Sequence, residues 1–99
     1  MKPSILIQLD RPRNIRLNTN ALVKAEEVLG RPVAEFGDSF GMREIRALLW
    51  AGLLHEDKDL SLETVGDLMD EAGFEYVAEK IGEAITTAFG SSPKEPNPN

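Results

Sequence analysis

The sequence predicts a mainly α-helical domain in which a short N-terminal β-hairpin packs on about four helices. Three observations predict it. The chain opens with a brief stretch of strict apolar alternation, continues with apolar residues at helical spacing, and places capping residues ahead of the helical stretches. At 99 residues it has room for one hydrophobic core. The expected division is a single α-rich domain over residues 1–90 and a disordered tail over 91–99.

The hairpin comes first. Ile5, Ile7 and Leu9 share one side of an extended segment, Asp10-Arg11-Pro12-Arg13 supplies a turn, and Ile15 and Leu17 oppose the first strand. The nearby arginines are expected to discourage edge-to-edge pairing with a second copy. Asn18 or Thr19 then caps a first helix carrying Leu22, Ala25 and Leu29, which Gly30 and Pro32 stop. Pro32 to Phe36 can make one helical turn, after which Asp38 or Ser39 offers an N-cap to a second helix running to about His55.

That second helix has an unusual distribution of apolar residues. Met42, Ile45, Leu49 and Leu53 share a face, while Leu48, Trp50, Ala51 and Leu54 spread apolar character over the other sides. A helix of this kind is either central in the fold or covered by a partner. After a charged loop from His55 to Asp59, Ser61 caps a third helix with Leu62, Val65, Met69 and Ala72 on its inner face. Gly73 ends or kinks it. A fourth helix starts near Phe74, and Phe74, Val77, Ala78, Ile81, Ile85 and Ala88 form the clearest amphipathic face in the chain. Beyond Gly90 three prolines and no large apolar residue predict disorder.

Charge is divided unevenly. Residues 1–50 carry eight Lys or Arg against six Asp or Glu, a net +2; residues 51–99 carry three against eleven, a net −8. The acidic half repels phosphate backbones, which argues against nucleic acid as the main partner and favours a basic protein segment. There is no cysteine, so neither disulfides nor thiolate metal ligands contribute. The apolar run Ala47 to Leu54 is far shorter than the ~20 residues of a membrane span, so no membrane partner is expected.

A catalytic constellation is not evident. His55 is the single histidine, and its place at a helix end predicts that it satisfies the last carbonyls. His55-Glu56 is followed by Asp59 where a zinc-protease helix requires a second histidine. Asp57, Asp59 and Ser61 resemble the start of a calcium loop, but Leu62 and Leu68 stand where a glycine and a bidentate glutamate are needed. Gly37 and Gly41 lack phosphate-loop spacing. No enzyme activity, cofactor or metal is expected.

Two sets of residues stand out as candidate partner-binding surface. Glu75, Glu79 and Glu83 form an i, i+4 stripe of like charges, which helix stability alone would not favour. Leu48, Trp50 and Leu54 are the apolar excess of the second helix, and tryptophan is enriched at interface hot spots as well as in cores.

The stretches Leu17-Asn18-Thr19-Asn20-Ala21-Leu22 and Glu26-Glu27-Val28-Leu29-Gly30-Arg31-Pro32, with Arg46-Ala47-Leu48-Leu49-Trp50-Ala51-Gly52-Leu53 and Leu60-Ser61-Leu62-Glu63, resemble a tail protein of gene transfer agents, the phage-like particles of alphaproteobacteria. The resemblance covers about Asn14 to Gly90. It implies one of two roles, a tail assembly chaperone of long-tailed phages or a tail tube protein. Tube subunits join through β-sheets, whereas this pattern is helical, which favours the chaperone. The resemblance then implies a cytoplasmic helper in a bacterial host that binds the tape measure protein during virion assembly, with a longer frameshifted form and homo-oligomer formation left open. A structural component would instead reside in the virion. An unrelated small protein-interaction module is the remaining alternative.

Overall fold

A computed structural model describes residues 4–35 and 40–89. Strands β1 (Ile5–Gln8) and β2 (Pro12–Ile15) pair antiparallel, with Ile5 opposite Ile15, Ile7 opposite Arg13 and Gln8 opposite Pro12. The two-residue period turns Ile7 and Ile15 into the core, where both are enclosed. The same parity turns Arg13 inward. It is 4% exposed, so the edge-protecting role expected of it does not apply. Pro12 opens β2, a position where strand prolines are tolerated.

Helix α1 (Thr19–Leu29) begins where Asn18 Oδ1 accepts the Ala21 N–H and ends at Gly30, whose φ of 76° admits the left-handed cap. Ala21 and Ala25 are buried, and Leu22 and Leu29 are half-buried against the core. A single 3-10 turn (Val33–Glu35) follows, anchored by the Val33 N–H on Glu26 Oε2 at 2.7 Å.

Helix α2 (Met42–Leu53) packs against β2, α1 and two later helices, α3 (Leu62–Ala72) and α4 (Phe74–Ala88). This central position answers the question its sequence posed: four elements pack on α2, and the apolar residues spread around its Ile45–Leu53 portion are covered by them. Its N-cap position is Gly41, which gives no side-chain cap, and the expected caps Asp38 and Ser39 lie outside the described residues. Met42, which shares an apolar face with Ile45, Leu49 and Leu53 in the sequence, is 69% exposed in the first turn while those three are buried.

Ser61 caps α3 as expected, its hydroxyl accepting the Thr64 N–H at 3.1 Å, and Val65, Leu68 and Met69 turn inward. Gly73 breaks the helix at a φ of 99°. Helix α4 then lays Val77, Ile81 and Ala84 into the core. Among the described residues no helix is long and apolar enough to cross a membrane. The tail expected to be disordered lies outside them.

Candidate binding surfaces

The six predicted surface residues fall in three different settings. Leu48 is fully enclosed and is withdrawn as a surface candidate, because α2 is wrapped by the chain itself. Trp50 is half-buried against the core, and its Nε1–H donates to the Leu60 carbonyl at 2.9 Å. The indole therefore holds the loop between α2 and α3 in place, a structural task that gives it a polar partner inside the chain.

Leu54 is half-buried just beyond α2 and faces a cleft of about 430 Å³. Leu54, Ala21 and Ala51 give the cleft its apolar lining; Arg16, Lys24, Lys58 and His55, with Asn18 and Asn20, give it its polar one. His55 does not cap its own helix. Its Nε2 lies 2.7 Å from the Asn14 carbonyl, so Nε2–H donates across to β2 and ties the loop to the hairpin.

Glu75, Glu79 and Glu83 are exposed along α4, as the like-charge stripe requires. Glu83 Oε1 lies 3.8 Å from Lys80 Nζ, and that ammonium also sits 5.8 Å from the centre of the Tyr76 ring. Glu63, Asp67, Asp70 and Glu71 on α3 are exposed too, so α3 and α4 together present seven carboxylates to solvent. Between α2 and α3 runs a groove of about 360 Å³ whose apolar members are Met42, Met69 and Phe74. Glu63, Asp67 and Asp70 line it beside Arg43 and Arg46. Sequence reading grouped Met42 with Ile45, Leu49 and Leu53 on one apolar face and so missed this groove; its signal was the position of Met42 in the first turn of α2.

Other ionic groups serve the fold. Arg13 Nε and Nη2 donate to the two carboxylate oxygens of Asp10 at 2.8 and 3.0 Å, and Nη1 lies 3.7 Å from Asp57 Oδ2. The Arg13 hydrogen bonds hold the Asp10 carboxyl below its ordinary pKa, and Asp10 raises that of Arg13. Arg31 pairs with Glu44 at 2.7 Å and likewise lowers its carboxyl pKa, with a further contribution from the Gly41 and Glu44 backbone at the start of α2. Among the described residues no group of three or more His, Cys, Asp or Glu is placed to hold a metal ion.

Compared with known proteins, the chain matches no family model, no curated protein and no solved structure.

Proposed function

We propose that this chain is a tail assembly chaperone of a phage-like particle, which binds the tape measure protein during tail morphogenesis and keeps its apolar helical segments soluble. The observation that carries the reading is the acidic face of α3 and α4 beside an apolar groove with two methionines and a phenylalanine. Such a groove suits the apolar side of an amphipathic helix, since methionine adapts to varied partners. The surrounding carboxylates attract basic residues on the same helix and speed encounter. The sequence resemblance to gene transfer agent tail proteins supplies the particular client. The role of a structural tube component fits less well, because the hairpin is engaged by the chain itself at both edges: Gln8 N–H donates to Tyr76 Oη, and β2 is held by the loop after α2.

The test is co-expression with segments of the tape measure protein. The wild-type chain is expected to move an otherwise aggregating segment into the soluble fraction. Reversing Glu75, Glu79 and Glu83 to Lys is expected to slow association and flatten its salt dependence while leaving the circular dichroism spectrum unchanged. Failure of the wild-type chain to improve the solubility of any tape measure segment removes the reading.

A further inference from the structure

We infer that the cleft between the start of α1 and the end of α2 is a second binding site, and that it takes an acidic segment of a partner polypeptide in which carboxylates flank an aliphatic side chain. This goes beyond the chaperone reading and does not rest on it, since no residue of α3 or α4 lines the cleft.

The sign of the charge is the first argument. The chain carries a net charge of −6, yet the cleft gathers Arg16, Lys24 and Lys58 and is lined by no carboxylate. Of the acidic residues beside Lys58, Glu56 and Asp57 are committed elsewhere and Asp59 is exposed outside the lining. Glu56 accepts two hydrogen bonds from Asn14, and Asp57 is engaged by Arg13 and by the Asp59 N–H. Among the described residues, Arg16 Nε is enclosed without a hydrogen-bond partner, which is costly for a charged group. Arg16 as a whole is only half-buried and lines the cleft, so a ligand carboxylate can meet the guanidinium charge from its accessible side. The first turn of α1 adds its partial positive charge to the same rim.

The lining chooses among anions. Ala21, Ala51 and Leu54 offer apolar surface that a bare phosphate or carboxylate cannot use, while an aliphatic side chain between two carboxylates covers it. No Phe, Tyr or Trp lines the cleft for base stacking, the His55 ring is tied to the Asn14 carbonyl, and the seven carboxylates of α3 and α4 oppose a long polyanion. A short acidic peptide meets both conditions.

The experiment titrates the isotope-labelled full chain with the capped peptide acetyl-Ser-Glu-Leu-Asp-Leu-Ser-amide, following backbone amide resonances. Saturable shifts centred on Asn20, Ala21, Ala51 and Lys58 are expected, with a dissociation constant below about 1 mM. Replacing the peptide's acids by Gln and Asn, or its leucines by Ser, should each weaken binding. The Lys24→Glu, Lys58→Glu double variant, altered at two exposed positions, should fold as the wild type and bind about fivefold to tenfold more weakly. Absence of saturable shifts, shifts centred on α3 and α4, or undiminished binding by the double variant would overturn the inference. So would stronger binding of a ten-residue oligothymidylate at the same amides, which would assign the cleft to phosphate.

Discussion

Asn14 and Glu56, 42 residues apart, are joined twice: the backbone N–H and the side-chain amide of Asn14 donate to the two carboxylate oxygens of Glu56 at 3.2 and 3.0 Å. Together with His55 on the Asn14 carbonyl and the Arg16 N–H on Gly52 O at 2.9 Å, they occupy the outer edge of β2, where another strand would otherwise pair. Glu56→Ala is expected to lower stability by about 1 kcal/mol in urea denaturation and to raise light scattering at high concentration. Glu56→Gln keeps an acceptor for Asn14 and should lose less. If the Ala variant matches the wild type in both measurements, Glu56 does not guard the edge.

Three carboxyls set an acid limit on stability. Asp10 is lowered by the Arg13 hydrogen bonds and Glu44 by that of Arg31. At Glu56, burial opposes ionisation, and the Asn14 hydrogen bonds outweigh it with help from the charges of His55 and Arg11, so the net direction is again downward. A carboxyl whose folded pKa lies below its unfolded one stabilises the fold above the unfolded value. That stabilisation is lost as the pH falls through the folded value. The urea midpoint is therefore expected to be flat near neutrality and to fall from about pH 4.5 downward. Asp10→Asn and Glu44→Gln should each make that fall shallower; an unchanged slope in both would assign it to other groups.

The elements were legible in the sequence wherever the signal was local. Asn18, Ser61 and Gly73 mark helix ends through their own backbone chemistry, and all three act as read. What resisted reading depends on neighbours distant in the chain. The apolar sides of α2 are the same whether the chain or a partner covers them, so Leu48 could be placed only by the packing of four other elements. The basic cleft joins Arg16 and Lys24 to Lys58 across the fold and has no spacing to detect. Arg13 was within reach, because it shares strand parity with Ile15, but its charge suggested solvent.

Arg13 illustrates how such an inward charge is accommodated. Its stem is enclosed opposite Ile7 and its head group binds Asp10 through two parallel hydrogen bonds. Arg13→Ala is expected to lower stability by about 1–2 kcal/mol, from lost packing and lost charged hydrogen bonds together. Arg13→Met should recover most of this by refilling the space, because the Asp10 left behind is 43% exposed and stays hydrated rather than becoming a buried unpaired charge. Arg13→Lys should recover less, since an ammonium cannot make both bonds at once. Equal stability of the Ala variant would show that the guanidinium contributes nothing net.

Among the described glycines, Gly52 leaves the least room for a side chain, at the place where α2 meets β2. A Cβ there would stand 2.7 Å from Ile15 Cγ2 and 3.2 Å from Leu17 Cδ2, both on buried side chains. Neither can retreat without disturbing the core, and the Arg16 N–H to Gly52 O bond fixes the backbones at the same place. Gly52→Ala is therefore expected to lower stability by about 1–3 kcal/mol despite the better helix propensity of alanine. Gly82, inside α4, supplies the control: its Cβ would meet nothing within 4 Å, so Gly82→Ala should raise stability by about 0.5–1 kcal/mol. Both exchanges are the same chemistry in a helix, so the difference between their thermal midpoints isolates the steric conflict. Since Arg16 and Ala51 flank this contact and also line the basic cleft, the Gly52 variant should weaken acidic peptide binding as well, while the Gly82 variant should not. A Gly52 variant as stable as that of Gly82 would mean that β2 can move away from α2, and the cleft would then not be a preformed site.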